Sequence, residues 1–230
     1  MKKQLPFVFS NFAMTADGKI AFASGNFVPF SSARDREHMM ELRATADAVM
    51  CGARTIETTG TILGNSGEKF RKLRLKHGLA EFPLRVIVSG SGSINPAAKI
   101  FRKRFSPIVV LTAARISKMN LKNLRAVADE VKICGKTEIN FPSALRWLRE
   151  KWNVRRLLCE GGGELHSALI RADLLDELHL TVCPKIFGGR NAPTIADGKG
   201  FFQLADAAQF KLKSIRRIEN ESFAVFSRKK

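Results

Sequence analysis

The residues best placed to do chemistry are glycines that follow short apolar runs. The segment Val154-Arg155-Arg156-Leu157-Leu158-Cys159-Glu160-Gly161-Gly162-Gly163-Glu164-Leu165 reads as a buried strand, then three glycines, then a helix to about Ala172. Glycines at a strand-to-helix turn let backbone N–H groups approach an anion, and the helix dipole adds about half a positive charge there. A dinucleotide pyrophosphate could be held in this way. The spacing is neither GxGxxG nor a P-loop, because no Lys-Ser/Thr pair follows. A tight structural turn would use the same residues.

Two further turns share the pattern. In Asp47-Ala48-Val49-Met50-Cys51-Gly52-Ala53-Arg54-Thr55, Gly52 permits close approach while Arg54 and Thr55 supply donors. In Val88-Ser89-Gly90-Ser91-Gly92-Ser93, small hydroxyl residues could hold a ribose or its 2′-phosphate, although a flexible loop has the same composition. Three such turns at the carboxyl ends of strands point to a ligand more strongly than any one does, since open α/β sheets bind at that edge. Near the N-terminus, Asp17-Gly18 is ordinary hairpin punctuation. It does not account for the polar Asn11 and Thr15 within an apolar strand, and these invite a ligand-contact reading.

Histidines and cysteines offer less. His38, His77, His166 and His179 have neither ligand spacing nor a nucleophile partner, and His38 and His166 fall on helices as surface or satisfied positions. Cys51, Cys134, Cys159 and Cys183 show no CxxC spacing, so no metal site is expected. Three of them lie in apolar runs and read as buried free thiols, which fits a reducing, cytoplasmic compartment.

The elements that must carry these turns are legible from the apolar patterning. Arg85-Val86-Ile87-Val88, Ile108-Val109-Val110-Leu111 and Arg156-Leu157-Leu158-Cys159 are continuous rather than alternating, as in parallel strands buried on both faces. Phe141, Leu145, Leu148 and Trp152 line one face of a helix with Pro142 near its start; Leu121, Leu124 and Ala128 form a shorter stripe. Ser32 caps a third helix, with Asp35 near its positive end, running to about Thr45. Strand–helix–strand repeats from residue 48 to about 183 predict a βαβ architecture. Phe210 to Ile215 alternates, Asn220-Glu221 offers a turn, and Ser222 to Phe226 follows, which predicts a C-terminal antiparallel hairpin. Thr58 to Ala80 reads as a long loop with one short helix. The whole of 1–230 is expected to form a single α/β domain.

No apolar run approaches the roughly 20 residues that cross a membrane. The start, Met1-Lys2-Lys3-Gln4-Leu5-Pro6, leads into a core strand rather than a signal peptide. The chain holds 39 basic and 21 acidic residues, a net charge of +18. Much of the excess clusters at Lys69, Arg71, Lys72, Arg74 and Lys76, at Lys99, Arg102, Lys103 and Arg104, and at Arg228-Lys229-Lys230. Such a field attracts nucleotides, sugar phosphates or nucleic acid without choosing among them. A basic nucleic-acid-binding protein is therefore a rival reading. The absence of Tyr and of aromatics interleaved in the basic runs argues against a stacking platform.

Taken together, these segments resemble the reductase domain of riboflavin biosynthesis, in the dihydrofolate-reductase-like superfamily. The resemblance rests on Ser10-Asn11 with Thr15-Ala16-Asp17-Gly18-Lys19, on Leu42-Arg43-Ala44 with Asp47 to Gly52, and on Arg85 to Ser89. It continues through Glu160 to Leu165, Pro184-Lys185-Ile186-Phe187-Gly188-Gly189 and Gln209 to Leu212, in order over about residues 6 to 228. It implies a largely parallel central sheet flanked by helices, an NADPH-dependent reductase and a homodimer. The implied substrate is a phosphorylated pyrimidine carrying a ribosylamino group, whose ring-opened sugar is reduced at C1′ to ribityl.

By position, the resemblance implies that Gly161, Gly162, Gly163, Glu164 and Leu165 hold cofactor phosphate. Gly52 and Thr55 would line the cofactor, Ser89 would lie near the adenosine ribose, and Gly188 and Gly189 near the nicotinamide. Asn11, Thr15, Asp17 and Lys19 would face the reaction centre, Arg36 a substrate phosphate, and Glu160 the ring or amine N–H groups. Asp17, Lys19 and Glu160 are the implied catalytic set. One departure stands out. The family's Asp-Asp-Pro run is replaced by Ile56-Glu57-Thr58-Thr59-Gly60-Thr61, with Glu57 as the nearest substitute carboxylate. This opens an alternative, a dihydrofolate-reductase-like reductase of a pterin or other small heterocycle. The family's deaminase domain is not found in the chain, so a stand-alone reductase is expected.

Overall fold

The computed structural model describes residues 5–25, 27–64 and 67–229. Met1 to Gln4 and Lys230, read above as a strand leader and a basic end, lie outside the described residues. In chain order the elements are β1 (Phe7–Thr15), α1 (Ala33–Arg43), β2 (Ala48–Gly52), α2 (Ala53–Thr59), α3 (Glu68–Lys76), β3 (Leu84–Val88), α4 (Lys99–Arg102) and β4 (Ile108–Thr112). They continue with α5 (Lys118–Val127), β5 (Glu130–Ile133), α6 (Phe141–Trp152), β6 (Arg156–Cys159), α7 (Gly163–Arg171), β7 (Glu177–Cys183), β8 (Phe210–Ile218) and β9 (Glu221–Arg228). Contacts divide the chain into two compact units, Met1–Phe7 with Met40–Leu158, and Val8–Met39 with Cys159–Lys230.

The first unit carries strands in the order β5-β4-β3-β2-β6. β2, β3, β4 and β5 pair in parallel, as the continuous apolar runs require. Ile108, Val109, Val110 and Leu111 are all fully buried, and burying each stabilises the fold by about 2 kcal/mol. α6 starts where expected: Asn140 caps it by accepting from Ser143 N–H at 3.0 Å, and Pro142 follows in the first turn. Its buried face is Ala144, Leu145 and Leu148. Ser117 caps α5, which buries Leu124.

The loose stretch between Thr58 and Ala80 contains the short helix expected there, α3, of nine residues. One of its residues corrects the sequence reading. Arg74 is not part of a surface anion patch. Its guanidinium is buried and donates to the carbonyls of Ala80, Arg43 and Ala46. Burial lowers its pKa to about 10. Arg85, equally buried, donates to the carbonyls of Ile100, Lys103 and Ser106. Each cation gathers the carbonyls of three separate residues onto one guanidinium.

The second unit carries β1-β7-β9-β8, with β1 parallel to β7 and the last three strands antiparallel. The expected C-terminal hairpin is therefore present. Its turn lies one residue earlier than predicted, at Glu219-Asn220, with Glu219 in the left-handed region at φ 55°. The alternation in β8 does not mark a half-buried strand. Leu212 and Ile215 are 55% and 61% exposed on this edge strand. α1 spans Ala33–Arg43, and the Ser32 hydroxyl accepts from Asp35 N–H at 3.1 Å, the predicted cap. Among the described residues no helix is long and apolar enough to cross a membrane.

Candidate active site

β1 alternates its side chains, and the two faces have different work. Ser10 and Phe12 meet His166 of α7. Asn11 and Thr15 lie on the other face. Asn11 is buried, and its Oδ1 has no hydrogen-bond partner. A buried amide oxygen without a donor costs about 1–3 kcal/mol, so this is a position that asks for one.

Beyond Thr15 the chain turns sharply. Gly18, at φ 80°, lets its N–H donate to the Thr15 carbonyl. The Thr15 hydroxyl donates to Asp17 Oδ1 at 2.5 Å and accepts from Lys19 N–H at 2.9 Å. Asp17 also accepts from the N–H groups of Phe187 at 3.2 Å and Gly188 at 2.7 Å. The hydrogen bond from Thr15 and these two amides hold the Asp17 carboxyl below its usual range. Asp17-Gly18 thus does more than punctuate a hairpin. Among the described residues no hairpin partner strand follows; Lys19 instead makes an isolated antiparallel bridge to Thr194. An ionised Asp17 carrying three donors is poorly suited to give up a proton. It fixes the Phe187-Gly188 backbone against the turn that carries Lys19. The Lys19 ammonium lies 3.5 Å from the Ala192 carbonyl oxygen. Gly188 and Gly189 have φ of 64° and 87°, and a Cβ at Gly189 would come 2.9 Å from Ala23 Cβ.

The triple-glycine turn opens α7 as predicted. Gly161 has φ 104°, and the Gly161–Gly162 peptide is cis. Gly162 is the N-cap and provides no side-chain cap, which leaves the first-turn N–H groups without that partner. Gly163 differs from its neighbours. A Cβ there would meet the Thr194 carbonyl oxygen and lie 2.5 Å from Asp197 Oδ2. It is a close-packing glycine rather than one that clears space for an anion. Leu165 is buried, while Glu164 is exposed. Glu160 is half-buried immediately before the glycines.

Arg36 is exposed on α1 and donates to the Ser31 carbonyl at 3.0 Å. The start of α1 is tied to β9. Buried Glu221 accepts from Ser32 N–H at 2.8 Å, from the Ser32 hydroxyl at 2.6 Å and from the Cys183 thiol at 3.3 Å. Burial, reinforced by Glu221, pushes the Cys183 thiol up to about 12.

In the first unit, Gly52 ends β2 and is the N-cap of α2, without a side-chain cap. Thr55 lies in the first turn of that helix, half-buried. Ser89 follows β3, buried, with its N–H donating to Leu111 O at 3.0 Å. Glu57 is exposed and accepts from Asn95 N–H at 2.9 Å.

Comparison with known proteins identifies the family. The profile described as RibD C-terminal domain matches residues 6–223. The chain belongs to the RibD C-terminal domain family. It is 34% identical over 224 residues to the 2,5-diamino-6-ribosylamino-4(3H)-pyrimidinone 5′-phosphate reductase of Archaeoglobus fulgidus, covering 97% of this chain and 98% of that relative. The protein of the same name from Methanothermobacter thermautotrophicus is 30% identical, with 90% and 91% covered. Among solved structures, a pyrimidine reductase-like protein of Corynebacterium diphtheriae superposes with a TM-score of 0.81 at 19% identity, covering 98% of this chain and 92% of that one. RibD of Acinetobacter baumannii superposes with a TM-score of 0.78 at 21% identity, and here the chain spans 58% of the other's length. The α/β fold inferred from sequence is the fold of this family.

Sequence reasoning missed a group of residues around α7. His166 was read as a surface or satisfied position on a helix, and it is the second of these. It is fully buried, with Nδ1 2.7 Å from the Ile195 carbonyl and Nε2 3.0 Å from the Ser10 hydroxyl. A carbonyl can only accept, so Nδ1 carries the proton and Nε2 accepts from Ser10. Burial lowers the His166 pKa to about 4, and the ring is neutral. Thr194 and Asp197 were likewise unremarked. The signal available was Ser10, a second polar residue on the apolar strand beside Asn11.

Proposed function

We propose that the chain catalyses the NADPH-dependent reduction of the ribosyl group of 5-amino-6-(5-phosphoribosylamino)uracil, or of its diaminopyrimidinone analogue, to ribityl. The near full-length identity to the Archaeoglobus fulgidus reductase carries this reading. The buried, donor-less Asn11 Oδ1 supports it locally, since the substrate is rich in N–H and O–H groups.

Bound NADPH would supply a hydride for C1′ of the ring-opened sugar, whose C1′=N double bond becomes a single bond as the nitrogen takes up one proton. Gly161 and Gly162 bring the uncapped start of α7 to the cofactor phosphates, with Gly163, Glu164 and Leu165 contributing backbone. Within the first unit Gly52, Thr55 and Ser89 serve the cofactor in this reading, and within the second Gly188 and Gly189 allow backbone close to the nicotinamide. Asn11 accepts from the substrate, Arg36 meets its phosphate, and Glu160 accepts from ring or amine N–H groups. Thr15 and Asp17 hold the turn that presents the Lys19 ammonium to the reaction centre. The enzyme works as a homodimer in the cytoplasm; four buried free thiols fit a reducing compartment.

Titration with NADPH and NADH, followed by nicotinamide absorbance with the phosphorylated pyrimidine, tests the reading. Tighter NADPH binding and pyrimidine-dependent oxidation are expected. NADPH binding with turnover only on a pterin would replace the substrate, and absence of binding would remove the enzyme reading.

A further inference from the structure

Residues 192–197 make two separate sets of contacts. Toward β1 and its turn, Pro193 O accepts from Ile20 N–H at 2.9 Å, Thr194 bridges Lys19, and Ala192 O lies 3.5 Å from the Lys19 ammonium. Toward α7, Asp197 N–H donates to Gly163 O at 3.1 Å and Ile195 O accepts from His166. The bare Cα of Gly163 is what allows Thr194 and Asp197 to approach so closely. The segment is braced internally. The Asp197 carboxylate accepts from the Thr194 hydroxyl at 2.7 Å and from Thr194 N–H at 3.1 Å. His166 in turn is seated on Ser10 and on the Phe12 ring, and a Cβ at Gly161 would fall 3.3 Å from that same ring.

We propose that residues 192–197 are a positioning strap that sets Lys19 relative to the triple-glycine turn, with Asp197 and His166 as its anchoring residues. The proposal rests on the reading above, in which Lys19 serves the substrate and the glycine turn serves the cofactor. Hydride transfer needs both at once in a fixed relation, and a misplacement of about 1 Å can cost about a hundredfold in rate. A rigid strap bonded to both turns supplies that relation. Asp197 and His166 touch neither ligand in this account; they act through the placement of Lys19 against the glycine turn. Half-exposed Asp197 spends its hydrogen bonds on Thr194 within the strap and on Gly163.

The test compares the wild-type protein with Asp197→Ala, Asp197→Asn and Thr194→Val by amide hydrogen exchange and by kcat/KM. Loss of the brace should speed exchange at the Ile20 amide by about tenfold or more in Asp197→Ala, with Asp197→Asn close to wild type because its Oδ1 still accepts from Thr194. Asp197→Ala should lower kcat by about tenfold. Combined with Lys19→Met, it should add less than about twofold to the loss from Lys19→Met alone, because both changes act on one group. Unchanged Ile20 exchange, or losses that multiply in the double variant, would overturn the strap. Should Asp197→Ala fail to fold, Thr194→Val is read by the same criteria. A wild-type protein that oxidises no NADPH with the pyrimidine would refute the functional reading instead, while exchange at Ile20 still decides whether the strap holds the turn.

Discussion

His166 makes the stability of the protein depend on pH in a way that can be calculated. Its imidazole is neutral in the fold, with a pKa lowered to about 4 from 6.5 by burial. A depressed histidine pKa means that the unfolded chain binds the proton more readily. Its contribution is therefore fully present above pH 6.5 and is lost as pH falls toward about 4. The whole difference amounts to about 3 kcal/mol, and between about pH 7 and about pH 5 the loss is about 2 kcal/mol. Other groups also titrate in this range, among them His179, whose pKa burial also lowers despite its hydrogen bond to Glu177. Comparison with His166→Gln removes them, because only the one titration differs. Urea denaturation at both pH values is the assay. The wild-type protein should lose about 2 kcal/mol more than the variant on acidification. Parallel losses in the two proteins would refute the buried, neutral assignment of His166, whatever their absolute stabilities.

Three further outcomes follow from other positions. Asn11→Leu removes a buried oxygen that has no donor in the free protein, so stability to urea should hold or rise by about 1 kcal/mol while KM for the pyrimidine rises. A loss of several kcal/mol with unchanged KM would show that Asn11 is a structural residue. Gly163→Ala drives a methyl into the Thr194 carbonyl and Asp197 and should cost about 1–3 kcal/mol in thermal or urea unfolding, whereas the same change at Gly188, which has open space, should be limited to its backbone strain. Arg74→Met strands the carbonyls of Arg43, Ala46 and Ala80 and should destabilise by about 3 kcal/mol or more, an effect absent if Arg74 were a surface cation.

The fold was legible because its determinants are local. Continuous runs such as Ile108 to Leu111 announce strands buried on both faces, and Pro142 or Ser32 with Asp35 announce helix starts. The polar Asn11 and Thr15 of β1 were legible as unusual, Ser10 was not, and the structure divides the three. Ser10 is satisfied by His166, Thr15 by its own turn, and Asn11 Oδ1 by nothing in the protein. What sequence could not supply was long-range partnership. His166 meets Ser10 across 156 residues, and Asp17 meets Gly188 across 171. No local pattern encodes either pair. The same limit made Arg74 look like one more surface charge and made all three glycines of the turn look equivalent, although Gly163 is fixed by a segment some thirty residues later.

The most direct measurement of the central claim uses NADPH carrying deuterium at nicotinamide C4, incubated with the protein and the phosphorylated ribosylaminopyrimidine, with the product examined by mass spectrometry and NMR. One deuterium should appear at C1′ of a ribityl product, in step with NADPH oxidation. Oxidation without label at C1′, or with label on the heterocycle, would contradict it.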